Sequence, residues 1–289
     1  MRGWRSSAWC HCAGNIGTSH ARSLSQEVAG AQVSWLYDAD VARANALADE
    51  IGARVAPTVE QLIASSDAVV IASPDALHAE QALICLDAQR PTLCEKPLAP
   101  TVPEATSVVD AEIDLGQRLI SLGFMRRFDP GYVALKESLS FIGQPLIVHN
   151  VHRNEYAPYG LTTSGTLTNS AIHEIDINRW LLDDDYATVQ VVAGKAGPRT
   201  PEGELDPILM LLTTRGGVSS RWRLSSTLPT VTRCAARSWA ARALSRWVTV
   251  PTSPGVRSAR SDTRCPSSGS AASRTPIAGS CRPGWTPRE

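Results

Sequence analysis

Two stretches of this 289-residue chain carry residue types and spacings suited to handling protons and developing charge. The first is Cys94-Glu95-Lys96-Pro97-Leu98. It follows a short apolar run and precedes a helical pattern, which places it at the carboxyl end of a strand in an α/β sheet, where ligands bind. A lysine held there beside Glu95 can donate to an oxygen that gains negative charge during a reaction. Pro97 stiffens the turn, because an X-Pro bond restricts the residue before it and can be cis. The plain alternative for Glu-Lys-Pro is a surface turn. The second stretch, Asn169 to Leu182, reads as a helix with Asn169, His173 and Asp176 at i, i+4 and i+7, on one face. His173 is suited to taking a proton near neutral pH. Its plain alternative is a buried histidine satisfied by backbone.

The elements that must hold these residues follow from the pattern around them. Ala13-Gly14-Asn15-Ile16-Gly17-Thr18-Ser19-His20 leads into a helical pattern through Leu24 and Val28. Gly14 and Gly17 have the spacing of the last two glycines of G-x-G-x-x-G, with Cys12 where the first belongs. Such glycines let backbone N–H groups approach a pyrophosphate at a helix N-terminus; a simple helix-start turn is the alternative. Ala31 to Tyr37 is a strand candidate ending at Asp38, 21 residues after Gly17. An acid at that spacing binds the adenosine ribose of NAD and repels the 2′-phosphate of NADP. Asp38 could instead cap the helix that runs from Asp40 to Ile51.

The alternation continues with a helix over Thr58 to Ala64, an apolar strand over Ala68 to Ala72 and a break at Ser73-Pro74-Asp75. A helix follows over Ala76 to Asp87, then a strand over Thr92 to Cys94, a helix over Val102 to Leu115 and a strand over Arg118 to Leu122. His78 reads either as a surface residue of a first helical turn or as a cofactor contact. Repeated strand–helix units predict an α/β, doubly wound parallel sheet. In the second half, Pro145 to His152, Thr188 to Ala193 and Ile208 to Thr214 are strand candidates.

Composition narrows the classes. Hydrophobic content of 43% supports a sizeable core, and no apolar run is long enough for a membrane span or a signal-peptide core. The cytoplasm is the expected compartment. Seven cysteines form no CxxC pair, and Cys10 and Cys12 around His11 lack a second ligand pair at zinc spacing, so no metal is expected. The zero formal charge hides a split. Residues 219–289 hold twelve Arg, no Lys and only Asp262 and Glu289 as acids, an excess of ten positive charges balanced by the rest.

Three separated segments carry a resemblance. Glu95-Lys96-Pro97-Leu98-Ala99, then Gly123-Phe124-Met125-Arg126-Arg127-Phe128-Asp129-Pro130-Gly131-Tyr132, then His173-Glu174-Ile175-Asp176 resemble the glucose–fructose oxidoreductase/inositol dehydrogenase family. Met125 to Leu135, His152-Arg153-Asn154 and Asp184-Asp185-Tyr186 to Val191 resemble its inositol 2-dehydrogenase branch. The resemblance spans roughly residues 14 to 218. It implies an N-terminal Rossmann-type NAD-binding domain, 1–123, and an incomplete α+β domain with an open, mostly antiparallel sheet, 124–218. It also implies a polyol substrate and a homo-oligomer, a tetramer by analogy.

On this resemblance His173 takes the proton of a ring hydroxyl, Lys96 stabilises the forming alkoxide, and a hydride passes to NAD to leave a ketone. Asp176, His152 and Asn154 bind neighbouring hydroxyls. Gly14, Asn15, Ile16, Gly17, Asp38, Ser73, Glu95, Lys96 and Arg126 hold the cofactor. One departure stands out: the residue four before His173 should be Asp and is Asn169, which can accept a hydrogen bond but brings no charge to an imidazolium.

The two ends depart further. Met1 to Cys12 shows no strand alternation where the first strand belongs, and residues 219–289, with 14 Ser among the Arg and Pro, show no sustained period. The tail therefore reads as disordered. GC-rich codons for residues 232–239 and 3–8, shifted by one frame, yield Glu-Val-Arg-Cys-Glu-Val-Val-Gly and Val-Ala-Val-Ile-Gly, so an out-of-frame origin is a further reading. Two competing functions follow: an inactive remnant of such an enzyme, or a protein that docks nucleic acid through its basic tail.

Overall fold

A computed structural model of the chain describes residues 8–10, 14–153, 162–197, 199–225, 233–240 and 247–251. The first half alternates strand and helix in chain order. It runs β1 (Ala8–Cys10), α1 (Asn15–Gln26), β2 (Trp35–Leu36), α2 (Val41–Ile51), β3 (Arg54–Val55), α3 (Val59–Ala64) and β4 (Val69–Ile71). A 3₁₀ turn at Asp75–Leu77 then leads into α4 (His78–Asp87), β5 (Thr92–Cys94), α5 (Val102–Leu115) and β6 (Ile120–Leu122). The six strands are all parallel, in the order β3-β2-β1-β4-β5-β6. That order is the doubly wound one, with a switch point where β1 lies between β2 and β4. Val69, Val70 and Ile71 are all buried, as befits a central parallel strand covered by helices on both faces.

The expectation of no strand before Cys12 is corrected. Ala8, Trp9 and Cys10 pair in register with Val69, Val70 and Ile71, and Ala8 also with Trp35. A central slot is filled through backbone N–H and C=O groups, which every non-proline residue carries, so poor side-chain alternation does not forbid it. Residues 11–13, with Cys12 of the glycine motif, lie outside the described residues.

The second half opens with a 3₁₀ turn, Met125–Phe128, and α6 (Pro130–Ile142). After β7 (Pro145–Arg153) come α7 (Thr163–Thr166), a π turn (Leu167–Ala171), α8 (Ile172–Leu182), β8 (Tyr186–Ala193), β9 (Ile208–Thr214), β10 (Ser219–Ser225), β11 (Arg233–Ala240) and β12 (Trp247–Pro251). Its sheet runs β12-β11-β7-β10-β9-β8. Only the β7–β10 pair is parallel; the other four are antiparallel. The expected open, mostly antiparallel second sheet is therefore present.

The expectation that regular structure stops at Val218 is also corrected, since β10, β11 and β12 lie beyond it. In β10, Ser220, Trp222 and Leu224 are buried while Ser219, Arg221 and Arg223 are exposed. This is the period-2 pattern of a half-buried strand. β11 lines the free edge of β7 over Pro145 to Arg153.

Trp222, wholly buried, is the keystone of the second core, with Ala171, Ile208, Met210, Leu212 and Leu224 around it. The Trp222 indole N–H donates to Ser220 Oγ at 2.6 Å, and Asn178 Nδ2 of α8 donates to the same oxygen at 2.9 Å. Helix α8 is thus tied to the sheet by a polar bond as well as by apolar burial. Among the described residues no helix is long and apolar enough to cross a membrane.

Candidate active site

In a parallel sheet all carboxyl ends share one edge. Gly14 follows β1, Asp38 follows β2, Ser73 follows β4 and Glu95-Lys96 follow β5. Gly14 is the N-cap of α1 and has no capping side chain, and the first turn holds no acid. Gly14, Asn15 and Ile16 are exposed there, while Gly17 is buried. Among the described residues no side chain caps this terminus, so its first N–H groups are left for another acceptor, which suits an anion. Asp38 is buried, accepts from the Asp40 N–H at 2.7 Å and lies 3.9 Å from Arg43 Nη2. Asp40 performs the capping of α2, accepting from the N–H groups of Ala42 and Arg43.

The Glu95-Lys96-Pro97 turn is held on both flanks. The Glu95 carboxylate is 2.7 Å from His20 Nε2 of α1 and accepts from the Lys96 N–H at 3.3 Å. Its fit is tight: a Cβ on Gly123 would lie 2.8 Å from Glu95 Oε2. On the other flank the Pro97 carbonyl meets His78 Nδ1 at 2.6 Å. The Lys96–Pro97 peptide is cis. His78 is 1% exposed, so it is not the surface residue that one reading expected. Ser73 Oγ donates to Gln81 Oε1 at 2.7 Å.

Lys96 crosses to the second sheet's helices. Its Nζ donates to the Asn169 side-chain oxygen at 3.2 Å and stands 3.5 Å from the Asn169 carbonyl oxygen. Burial lowers the Lys96 pKa, partly countered by the charges of Asp75 and Glu95. Asn169 belongs to the π turn rather than to the continuous α-helix that its spacing suggested; widened turns of this kind are frequent at functional sites. His173 lies in the first turn of α8 and is 7% exposed. Burial first, then the charges of Arg126, Lys96 and His152, push its pKa down to about 3, against an opposing pull from Glu174. The expectation of a pKa suited to proton uptake near neutrality is therefore corrected: burial makes the ring a weak base, neutral at physiological pH, with one nitrogen lone pair.

Around this pair the structure rearranges several expected contacts. Asp176 gives both carboxylate oxygens to Arg127, one of them at 2.9 Å from Nε. Arg126 is buried and its Nη1 lies 2.5 Å from Glu174 Oε1. His152, on β7, has Nδ1 3.0 Å from the same Glu174 oxygen and 3.2 Å from Arg126 Nη2. Burial alone would raise the Glu174 pKa, but the Arg126 charge and the His152 hydrogen bond hold it below the usual carboxylate range. Arg126, expected at the cofactor, and His152, expected at a substrate hydroxyl, are thus held by Glu174 in the interior, while Asp176, also expected at a hydroxyl, is taken up by the partly exposed Arg127. Asn154 lies outside the described residues. Sequence reasoning missed the roles of Arg127, Glu174, His20 and Gly123. The adjacent Arg126-Arg127 and the acids at 174 and 176 were the available signal.

Comparison with known proteins agrees with this construction. Residues 12–124 match the model described as "Oxidoreductase family, NAD-binding Rossmann fold", and residues 138–237 match "Oxidoreductase family, C-terminal alpha/beta domain". Inositol 2-dehydrogenase 2 of Paenarthrobacter aurescens is 47% identical over 213 residues, covering 71% of this chain and 64% of that protein. An inositol 2-dehydrogenase of Cereibacter sphaeroides is 42% identical over 208 residues, covering 71% and 62%. The chain thus spans less than two thirds of the length of these curated relatives. The crystal structure of myo-inositol dehydrogenase from Lactobacillus casei with NAD(H) and myo-inositol superposes with a TM-score of 0.78 at 30% identity, covering 89% of this chain and 78% of that one. Neither the inactive-remnant reading nor the nucleic-acid reading draws support from these matches. On fold, motif order and similarity alike, the chain belongs to the oxidoreductase family that joins an NAD-binding Rossmann fold to a C-terminal alpha/beta domain.

Proposed function

We propose that this chain is an NAD-dependent dehydrogenase that oxidises a ring hydroxyl of a cyclitol to a ketone, of the inositol 2-dehydrogenase type. The observation that carries this reading is the 3.2 Å bond from Lys96 Nζ to Asn169, which brings an ammonium of the first sheet to the π turn that leads into the helix bearing His173. The names of the relatives above and the ligands of the Lactobacillus casei structure support the substrate class.

The residues present fit a dinucleotide. The uncapped N-terminus of α1 offers N–H groups to a pyrophosphate, and Asp38 at the end of β2 suits a ribose diol. NAD, when bound, supplies the hydride acceptor. The chain's own residues do the rest. Neutral His173 takes the hydroxyl proton. Lys96 donates to the oxygen as its negative charge grows, in a site dry enough to strengthen that bond. Asn169 holds the Lys96 ammonium through its amide oxygen, a neutral substitute for a carboxylate. His152, Asn154 and Asp176 remain candidates for hydroxyls of the same ring, and Ser73, Glu95 and Arg126 for the cofactor side.

We further propose a division near residue 123 between the two sheets, residence in the cytoplasm, and association of copies. Exposed apolar residues on the second sheet, among them Leu146, Val189, Val191 and Leu211, support association. The test is NADH formation with NAD and myo-inositol, beside a panel of other cyclitols and sugars. NADH formation with a cyclitol supports the reading. NADH binding without oxidation of any polyol in the panel overturns it.

A further inference from the structure

Arg43 lies in the first turn of α2, and nothing in the reaction above uses it. A cation there faces the positive end of the helix dipole, so helix stability gives no reason for it. Its guanidinium is held by acids just past the end of β2. Nε donates to Asp40 Oδ2 at 2.8 Å, and Nη2 stands 3.9 Å from Asp38 Oδ1. The second distance is too long for a hydrogen bond, so the link to Asp38 is one of charge alone. The Arg43 side chain is 57% exposed and open to a ligand.

The two acids are held differently. Asp38 is buried and fixed by the Asp40 N–H at 2.7 Å. Asp40 is exposed and occupied with the N–H groups of Ala42 and Arg43. An acid placed like Asp38 hydrogen-bonds the ribose 2′-hydroxyl of a dinucleotide, and a nearby arginine accommodates a 2′-phosphate. A hydroxyl bonded to Asp38 lies about 2.7 Å from a carboxylate oxygen. Arg43 Nη2 is 3.9 Å from such an oxygen. A phosphate carried on that 2′-oxygen therefore comes within reach of the guanidinium, whose planar fork suits it. The same phosphate meets both carboxylates. Two acids and one cation leave the cluster one charge negative, which repels a dianion. Without the Asp38 charge the cluster is neutral, and Asp40 still holds the guanidinium in place.

We propose that Arg43 forms a 2′-phosphate subsite masked by Asp38, so that the preference of this chain for NAD over NADP is set by one carboxylate and inverts when that charge is removed. The subsite rests on the dinucleotide site of the dehydrogenase reading above, but not on the polyol or on turnover. The experiment therefore reads binding: fluorescence titration of the full-length chain with NADH and with NADPH. It compares the unaltered chain, Asp38→Ser, Arg43→Gln and the doubly changed chain.

The unaltered chain should bind NADH more tightly than NADPH, and Asp38→Ser should reverse that order. Adding Arg43→Gln to Asp38→Ser should weaken NADPH roughly tenfold to hundredfold, the range of a charge-assisted hydrogen bond, and leave NADH within about twofold. An equal loss of both dinucleotides on Arg43→Gln, or a loss of neither, overturns the subsite. So does an Asp38→Ser chain that still prefers NADH. If the unaltered chain binds neither dinucleotide, the dehydrogenase reading fails and the subsite with it. If it binds NADH and the Arg43 dependence alone is missing, only the subsite fails. Asp38→Asn, which keeps the shape and the acceptor for the Asp40 N–H, replaces the serine variant if that one does not fold. Should neither fold, Arg43→Gln in the otherwise unaltered chain decides: NADPH binding falls while NADH binding is kept, or the proposal is wrong.

Discussion

The Lys96 ammonium donates to the side-chain oxygen of Asn169 at 3.2 Å, 73 residues away in the chain. The partner is an amide and not a carboxylate, so the cation is held by a dipole. Lys96 and His173 then stand near one another with no negative charge between them at this position. Burial depresses the Lys96 pKa, and burial followed by the charges of Arg126, Lys96 and His152 depresses that of His173.

Asn169→Asp should therefore raise activity. A carboxylate at that distance from Lys96 forms an ion pair and stabilises an imidazolium four residues on. Removing the orienting acid of a Ser-His-Asp enzyme costs about 10⁴ in turnover. With Lys96 already in place, a gain of about tenfold in kcat is the expectation for the reverse change. Added negative charge raises the His173 pKa, so the acid limb of the kcat/KM profile should move to higher pH. Steady-state rates with myo-inositol followed from neutrality down to about pH 3, where the buried ring takes its proton, measure both effects.

Lys96→Met should separate binding from chemistry. The thioether keeps the length of the side chain but cannot donate to an alkoxide. Loss of one such donor costs about 10²–10³ in kcat. NADH affinity, measured by fluorescence titration, should change little by comparison. A fall in affinity that matches the fall in kcat would instead mean that Lys96 serves the cofactor.

Gly123→Ala probes the fit of Glu95. The added Cβ would meet the carboxyl group at 2.8 to 2.9 Å, so that group must move. It is the end of a flexible side chain, and the stability cost should stay near 1 kcal/mol, a few degrees in Tm. The His20–Glu95 bond should be lost with it. The expected signature is a kcat decrease larger than the Tm change predicts, read by thermal unfolding beside the NADH assay.

The legible and illegible parts of this chain differ in physical kind. Val69-Val70-Ile71 and the Glu95-Lys96-Pro97 turn were readable because a buried parallel strand and its mouth have local signatures. The same holds for His173, whose helix was clear from period alone. The pairing of Arg127 with Asp176, 49 residues apart, was not, because it depends on how a 3₁₀ turn docks on α8. Strand β1 was hidden because its pairing uses backbone groups that leave no mark on residue type. Strand β10 was a different failure: Ser220, Trp222 and Leu224 alternate correctly, but the exposed Arg221 and Arg223 resembled the arginine-rich composition downstream. The π turn around Asn169 has no sequence signature that distinguishes it from the helix it enters.

Trp222→Ala should show how much the second core rests on one side chain. The indole is fully buried, packs edge-on to Tyr186 at 5.8 Å and shares Ser220 with Asn178 of the His173 helix. Truncation of a buried Trp costs about 3–5 kcal/mol. Loss of that size approaches the whole stability of an ordinary domain. Urea unfolding should give a markedly lower midpoint, and Trp222→Phe should recover a large part of it.

Acid should destabilise the fold through His173, and the sign follows from where the proton goes. In the folded chain this ring stays neutral down to about pH 3, while in the unfolded chain it protonates near its ordinary value of about 6.5. Between these values the unfolded state binds the extra proton, so stability falls as pH falls, by up to about 1.4 kcal/mol per pH unit. Glu174 adds a second loss at lower pH. Its folded pKa is held below the usual carboxylate range, so the stability it contributes is present above an unfolded value of about 4.3 and disappears as pH drops through the folded one. His173→Gln removes the first process and leaves the second. Unfolding free energy measured from pH 7.5 down to 4.5 should therefore decline in the unaltered chain and flatten in the variant (an interval of about three pH units that spans the histidine window alone). Equal slopes in the two proteins would mean that His173 takes its proton in the folded state as readily as in the unfolded one, and that the site is wetter than its burial implies.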